Sequence, residues 1–231
     1  MLDGRLATIA SLVRKGSRVA DVGCDHGHLI CSLVLTGIAT GGVACDIKPN
    51  PLKKAKAEVE RLGLQNEIVC RLGNGLKTVL EEEIDDIVIA GMGGEAIIGI
   101  LSDICWKEQK EKRFILQPMT KTVELRRWLL ENGYEIIREK ASFAAERYYT
   151  VMKVGYTGRQ RVLDEDDPYL YIGELRHAPS NEAKQYLHIA FNAVLKRAAG
   201  QEKNAPAYAL RLVRLADAIK AVIKEMDRNG I

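Results

Sequence analysis

Between residues 18 and 119, short apolar runs alternate with longer helical patterns, and this alternation limits the possible folds more than any other feature. One helical pattern starts near Pro51, which suits a first helical turn, and Gly63 follows its end as a C-cap glycine would. Strands that alternate with helices form βαβ units, so the sequence predicts a doubly wound α/β domain around a parallel sheet. The five predicted strands span residues 18–23, 42–47, 67–73, 85–91 and 113–119.

Two further runs, 134–143 and 147–156, are rich in β-branched and aromatic residues and predict an antiparallel pair at one sheet edge. A polar connection follows, and no strand pattern appears beyond it. We therefore predict an α/β domain over residues 1–158 and a helical domain over residues 159–231.

The helical domain is predicted to contain two helices, Asn181 to Ala199 and Pro206 to Asn229, joined by a short loop. The second helix carries apolar residues at alternating spacings of four and three, which is the pattern of a coiled-coil seam. Two such helices with a short turn form an antiparallel hairpin. The seam residues are Tyr208, Leu212, Leu215, Ile219, Val222 and Met226.

Charge and hydropathy exclude several classes of protein. Lys and Arg number 34 against 31 Asp and Glu, which is far from the composition of a polycation or an acidic tail. The longest apolar run, Ile84 to Leu101, is interrupted by charges and four glycines, so we expect no membrane segment and a cytoplasmic location.

The five cysteines all lie in the first half and mostly in apolar runs, which indicates buried thiols rather than disulfides.

A glycine-containing turn follows the first predicted strand. Its spacing, D-x-G-x-D-x-G from Asp21 to Gly27, lacks the G-x-G-x-x-G pattern that brings a pyrophosphate against a helix, which argues against NAD or FAD. Gly23 and Gly27 permit close approach of a ligand to the backbone.

The next two strand ends also carry polar turns. Asp46 is placed to accept both hydroxyls of a ribose, although a helix N-cap is an equally simple role, and Asn74 is placed to contact an adenine edge. Three such turns at consecutive strand ends favour a nucleoside ligand, and we predict S-adenosylmethionine. The predicted contacts are Asp21, Gly23, Cys24, Asp25, Gly27, Asp46, Ile47, Asn74, Gly75, Gly91 and Met92.

The spacing Cys24-x-His26-x-His28-x-x-Cys31 also raises the hypothesis of a zinc site. We reject it, because Cys31 is predicted to point into helix packing while Cys24 and His26 belong to the ligand-binding turn. No metal is therefore expected.

Several motifs together resemble the bacterial tRNA (adenine(22)-N1)-methyltransferase family: VADVGCDHGHL, ACDIKPNPL, GNGL, DDIVIAGMGGE, LQPM, LRRWLLENGYEIIREK and RYYTVMKV. The resemblance covers residues 1–155 closely and the helical tail more loosely. It implies a Rossmann-like class I methyltransferase domain with a C-terminal helical, coiled-coil-like domain. It also implies transfer of a methyl group from S-adenosylmethionine to N1 of adenosine 22 of tRNA. Cys24 and Asn74 depart from the Ser or Thr and the Asp expected there.

The sequence Gly91-Met92-Gly93-Gly94 after the fourth strand suits this chemistry. Adenine N1 is a ring nitrogen with an in-plane lone pair, so it needs alignment rather than a base. Gly93 and Gly94 are predicted to let the base approach closely.

We predict Asp25 and His26 as catalytic residues. Asp25 would accept a hydrogen bond from the N6 amino group and favour the cationic product, with His26 orienting it or lining the pocket. Alternatively, Asp25 binds the amino end of the cofactor or caps the helix. Tyr148 and Tyr149 face opposite sides of a strand, so at most one can stack on a base; we assign Tyr149 to the substrate, with core packing as the alternative.

Basic residues of the hairpin are candidates for phosphate contacts, although they also suit a solvated helix face. They are Lys184, Lys196, Arg197, Arg211, Arg214, Lys220 and Lys224, with Arg5, Arg14, Lys15 and Arg18 near the N-terminus as a second candidate edge.

Two other functions fit the same patterns. The chain could methylate a small molecule or a protein, with the hairpin serving dimerisation. It could also be a non-catalytic protein that binds RNA or senses S-adenosylmethionine.

Overall fold

The structure, a computed structural model, describes residues 2–106 and 110–228. Its centre is a seven-stranded sheet with strand order β3-β2-β1-β4-β5-β7-β6. Strands β1 to β5 are parallel, whereas β7 runs antiparallel to both β5 and β6. The strands are β1 (Ser17–Val22), β2 (Ala39–Asp46), β3 (Ile68–Leu72), β4 (Asp86–Gly93), β5 (Arg113–Thr120), β6 (Tyr134–Ala144) and β7 (Arg147–Tyr156).

Helices cover both faces of the sheet and form the C-terminal region. They are α1 (Gly4–Ala10), α2 (His28–Leu35), α3 (Pro49–Arg61), α4 (Gly94–Ser102), α5 (Thr122–Glu131), α6 (Pro168–Ile172), α7 (Asn181–Gln201) and α8 (Pro206–Arg228). Two short 3-10 turns span Glu81–Glu83 and Gly173–His177. Among the described helices, none is long and apolar enough to cross a membrane.

The predicted α/β architecture is confirmed. All five predicted parallel strands are present within a few residues of their predicted bounds, and the antiparallel pair lies at the sheet edge as expected. Helix α3 begins at Pro49, two residues before the predicted start, and Gly63 follows its end with a φ of 71°.

Alternate side chains of the strands build separate cores on the two faces of the sheet. Ala20 and Val22 of β1 pack with Ile97 of α4 and Leu125 of α5 on one face. Val19, which precedes Ala20 in the same strand, packs on the other face against helices α1 and α2. This arrangement is the doubly wound packing that near-continuous apolar strands predict.

The predicted C-terminal hairpin is formed by α7 and α8. Of its predicted seam, Leu212, Leu215, Ile219 and Met226 are buried, while Tyr208 and Val222 are half-buried against the same cluster. Helix α6 and the 3-10 turn that follows it were not predicted from the sequence. The predicted helix end, Asn229, lies outside the described residues, and the domain boundary at 158/159 stays a prediction.

A buried ion pair joins the sheet to the helices that precede the hairpin. Arg126 of α5 and Glu139 of β6 are both 0% exposed, and Nη2 of the guanidinium donates to Oε1 of the carboxylate at 2.5 Å. Nη1 of Arg126 donates to the carbonyl of Leu170 in α6 at 2.8 Å, and Oε2 of Glu139 accepts the Glu174 amide at 3.0 Å. Burial alone would lower the pKa of Arg126, but Glu139 and Tyr186 outweigh it and raise the pKa, so the guanidinium stays charged.

Replacing one partner of this pair would leave the other charge buried and uncompensated. We expect Glu139→Ala to lower the free energy of unfolding by about 3–5 kcal/mol, measured by urea denaturation. The matched control is Arg211→Ala, which removes an exposed ion pair with Asp166 and is expected to cost less than about 1 kcal/mol. Equal losses in the two variants would contradict a structural role for the buried pair.

Candidate functional site

The polar turns predicted at successive strand ends meet at one edge of the sheet. β1 lies between β2 and β4, with Val22 opposite both Cys45 and Ile89, so these three strands end side by side. The residues that follow them lie beside the N-termini of α2 and α4. This edge is where ligands bind in doubly wound sheets.

A cavity of about 630 Å³ opens at this edge, and we call it the large cavity. The Asp46 carboxylate is largely buried there and accepts hydrogen bonds from the amides of Lys48 at 2.8 Å and Asp25 at 3.4 Å. The Lys48 bond is the turn-stabilising contact expected for an aspartate before a helix, so Asp46 has a local structural role as well as a place on the cavity. The predicted cofactor residues that line it are Gly23, Asp46, Ile47, Asn74, Gly75, Gly91 and Met92.

A second, smaller hollow of about 330 Å³ lies next to the large cavity, and we call it the polar hollow. Gly23, Ala90 and Gly91 line both spaces. Gly91 has a φ of 75°. Because it has no side chain, this residue does not separate the two spaces beyond the thickness of its backbone. The remaining lining residues of the polar hollow are Arg5, Leu6, Asp21, Cys24, Asp25, His26, His28 and Leu29.

Gly27 forms the start of α2 and explains the close packing of the turn. Its φ is 71°, and a Cβ atom there would lie 3.2 Å from the Cβ of Ala55 in α3. A side chain at this position would combine an unfavourable backbone conformation with a tight contact. Gly27 therefore shapes the turn by letting α2 approach α3, and it lines neither cavity.

Asp21 lies on the floor of the polar hollow and is 4% exposed. Burial raises the pKa of its carboxyl to about 7, although a hydrogen bond from the Ile30 backbone opposes the shift. Its Oδ2 is buried and has no hydrogen-bond partner in the described structure. An unpartnered buried carboxylate oxygen is costly, so this atom is suited to receive a donor from a ligand.

Asp25 and His26 stand at the mouth of the hollow. The Asp25 side chain is 73% exposed, and the backbone φ of this residue is 48°. Nε2 of His26 lies 3.6 Å from Oδ1 of Asp25 and 3.0 Å from Nζ of Lys54. Gly27, not Asp25, occupies the N-cap position of α2, so helix capping does not account for the Asp25 carboxylate.

Arg5 lines the polar hollow, although the sequence predicted it only as part of a basic edge near the N-terminus. Its Nη1 donates to Oε1 of Gln117 at 3.0 Å, and the same oxygen accepts the Gly91 amide at 3.0 Å. Gln117 is fully buried within β5. The buried side-chain amide of Gln117 thus holds the Arg5 guanidinium beside Gly91, which lies between the two spaces.

The structure places three predicted substrate residues outside the two spaces. Gly93 and Gly94 join β4 to α4, and a Cβ on Gly94 would lie 2.4 Å from the Lys121 carbonyl, so close packing already requires a glycine there. Tyr149 is 7% exposed, whereas its neighbour Tyr148 is half-buried. Tyr148 is therefore better exposed than Tyr149 for stacking.

The cysteines are free in the described structure. Cys24, Cys31 and Cys45 are buried, and burial raises the pKa of the thiol to about 11 for Cys31 and about 12 for Cys45. Thiols held in the neutral form are poor metal ligands and nucleophiles. Cys105 is exposed, contrary to the expectation of buried thiols. Among the described residues, no cluster of side chains could hold a metal ion.

Basic residues occupy both ends of the sheet. Nε of Arg14 donates to buried Asp86 at 2.6 Å, and the backbone amide of Arg18 donates to the Asp85 side chain at 2.8 Å. Both contacts lie at the amino ends of β1 and β4, opposite the candidate site. Of the predicted N-terminal basic edge, Arg5 lies at the site, whereas Arg14 and Arg18 face the other way.

Residues 2–152 match the model of a family described as a methyltransferase domain. This match, the doubly wound fold and the two spaces at the carboxyl edge define the chain as a methyltransferase-domain protein. The chain is 41% identical over 138 residues to the tRNA (adenine(22)-N(1))-methyltransferase of Bacillus subtilis strain 168, an alignment that covers 60% of this chain and 58% of that relative.

Solved structures extend the similarity over almost the whole chain. Streptococcus pneumoniae Sp1610, described as a candidate tRNA (m1A22) methyltransferase, is 32% identical with a TM-score of 0.83, covering 96% of this chain and 100% of that one. The Bacillus subtilis m1A22 tRNA methyltransferase is 29% identical with a TM-score of 0.77, covering 98% of each chain. The chain belongs to the tRNA (adenine(22)-N1)-methyltransferase family.

The raised pKa of Asp21 predicts a specific pH dependence of stability. Between pH 3.8, the ordinary pKa of an aspartate, and a pH of about 7, the unfolded chain releases this proton while the folded protein retains it. The folded state then binds more protons, so the free energy of unfolding falls as pH rises through this range and levels off above about 7. We expect this component, up to about 4 kcal/mol, to disappear in Asp21→Asn. Urea denaturation of both proteins from pH 4 to 8 tests this, and parallel curves would contradict it.

Proposed function

We propose that the chain transfers the methyl group of S-adenosylmethionine to N1 of adenosine 22 in tRNA. The observation that carries the proposal is the meeting of the large cavity and the polar hollow at Gly23 and Gly91, where neither residue contributes a side chain. The relatives support the same conclusion, and the Streptococcus pneumoniae protein has also been solved in complex with S-adenosyl-L-methionine. The cytoplasm, where such a tRNA substrate occurs, is its proposed location.

The described residues fit this cofactor. Asp46 presents carboxylate oxygens to the large cavity for the ribose hydroxyls, and exposed Asn74 offers an amide for the adenine edge. In the polar hollow, the unpartnered Oδ2 of Asp21 suits the ammonium group of the methionine portion, and Arg5 suits its carboxylate. Each charged or polar part of the cofactor thus has a complementary side chain.

The cofactor supplies an electrophilic methyl group on a positively charged sulfur. Adenine N1 has an available lone pair at neutral pH, so the protein does not have to remove a proton from it. The task of the chain is alignment, and holding the reactants in line contributes several kcal/mol. Gly91 and Gly23 serve this task because their backbone allows close approach of the base.

We assign the exposed carboxylate of Asp25 to the target base. Asp21 is available for the cofactor's ammonium group, which leaves Asp25 at the mouth of the hollow to accept a hydrogen bond from adenine N6. A carboxylate there stabilises the positive charge that develops on the methylated base. His26, between Asp25 and Lys54, is a positioning residue for that carboxylate.

Docking of tRNA also needs a surface for phosphates. N1 of a paired adenine is hidden, so the enzyme recognises the shape of the tRNA and extrudes the base. Lys196, Arg197, Arg214 and Lys224 are exposed on the α7–α8 hairpin and can meet phosphates. Arg211 instead pairs with Asp166 at 2.5 Å. We retain residues 159–231 as the proposed RNA-docking domain.

The first test measures transfer of a labelled methyl group to two unmodified tRNA transcripts. We expect transfer to a transcript with adenosine at position 22 and none to an otherwise identical transcript with guanosine there. No transfer to either, with cofactor binding shown by calorimetry, would overturn the proposal in favour of a small-molecule methyltransferase or a sensor.

Asp25→Ala tests the division of labour between the two aspartates. We expect kcat to fall by about 100-fold or more, while the KM for S-adenosylmethionine and the affinity for tRNA stay within about threefold of wild type. Asp21→Ala, the matched variant, is expected instead to raise the KM for the cofactor. A large rise in cofactor KM for Asp25→Ala would assign Asp25 to cofactor binding.

A further inference from the structure

A separate groove of about 290 Å³ lies between the sheet edge and the helical hairpin, and we call it the tyrosine groove. Its volume is near the lower end of ligand-sized pockets, which begin at roughly 300 Å³. Its principal lining residues are Val123, Tyr148, Tyr171, Tyr186, Ile189 and Arg197. None of these residues lines the large cavity or the polar hollow.

Each tyrosine is held by contacts made outside the groove. The Tyr148 ring lies 4.7 Å from the ring of Phe143 on the neighbouring strand. Tyr186 lies near buried Arg126 and contributes to the raised pKa of that arginine. The hydroxyl of Tyr171 lies 3.5 Å from the Glu165 carbonyl. All three tyrosines are half-buried, so part of each remains exposed. The groove is therefore an aromatic surface that is already organised before binding.

The groove lies close to the candidate catalytic edge. Thr120 at the end of β5 pairs with Gly93 at the end of β4, and Val123 follows Thr120 by three residues. Three residues span at most roughly 11 Å of chain. Tyr148 occupies the second position of β7, at the end of that strand nearest the carboxyl end of β5. The groove therefore lies near the edge of the sheet that carries Gly91.

The charge at the rim favours a nucleic acid. Arg197 lines the groove, and its guanidinium lies 5.3 Å from the Tyr208 ring, which fixes it at the hairpin surface. Lys196 is exposed beside it on α7. Aromatic rings next to fixed cations are the combination that binds an unpaired base and its phosphate.

We propose that the tyrosine groove receives one unpaired base of the tRNA other than the target adenine, stacked on Tyr148 and Tyr171. This inference rests on the proposed function, because extruding the target adenine leaves neighbouring bases without their normal stacking. Binding such a base would hold the opened tRNA while the adenine occupies the catalytic edge. The groove would thus set affinity for tRNA and leave cofactor binding unchanged.

The test compares Tyr148→Leu and Tyr171→Leu with the conservative variants Tyr148→Phe and Tyr171→Phe. Leucine removes the stacking face but keeps an apolar side chain, so we expect the KM for tRNA to rise about tenfold. Phenylalanine keeps the ring, so we expect a change of less than about twofold. The matched control is Tyr156→Leu, a half-buried tyrosine at the opposite end of β7. Its KM for tRNA should stay at the wild-type value, as should the KM for S-adenosylmethionine in all five variants.

Unchanged tRNA KM in both leucine variants, or equal effects of leucine and phenylalanine, would overturn the inference. A change in self-association by sedimentation, with unchanged tRNA KM, would instead assign the groove to a second copy of the chain. Wild-type transfer to the adenosine-22 transcript is measured first, so its absence reports failure of the proposed function alone. In that case the same variants are compared by dissociation constant for unmodified tRNA, where about a tenfold loss supports the groove and equal values overturn it.

Discussion

The buried ion pair between Arg126 and Glu139 is the interaction on which the packing of α5 and α6 against the sheet depends. One guanidinium binds a carboxylate on β6 and backbone carbonyls of α6, and that carboxylate also accepts the amide of Glu174. A buried charge is costly unless it is paired and hydrogen-bonded, so the contacts of this pair limit the ways in which these elements can pack together. Tyr186 lies near the same arginine and contributes to its raised pKa, so the pair adjoins a residue of the tyrosine groove.

The sheet places the site by a second constraint, the common direction of β1, β2 and β4. Parallel strands end at one edge, and the polar residues that follow them are brought together although they are far apart in sequence. The Asp46 carboxylate accepts the amide of Asp25, which directly connects the ends of the second and first strands. A site assembled in this way needs precise backbone turns, and this accounts for the glycines at its centre.

Much of the site could be predicted because its residues lie in local patterns. Asp46 and Asn74 each follow an apolar strand, so periodicity alone places them at the same edge. Arg5 and Gln117 carry no such signal: their contact spans 112 residues, and a glutamine within a strand gives no indication of burial. Glu139 was missed for the same reason, because a polar residue in an edge strand suggests solvent exposure until its distant partner is known.

The chemistry explains why the centre of the site contains so few ionisable side chains. A nucleophile that carries its own lone pair needs no base, so a catalytic carboxylate near N1 would add a desolvation cost without a proton to remove. Charged groups are more useful at the periphery, where Asp21 and Arg5 match the ends of the cofactor and Asp25 faces the amino group of the base. The two aspartates differ in burial, and that difference separates their proposed roles. Buried Asp21 binds the ammonium group of the cofactor, while exposed Asp25 accepts a hydrogen bond from the target base.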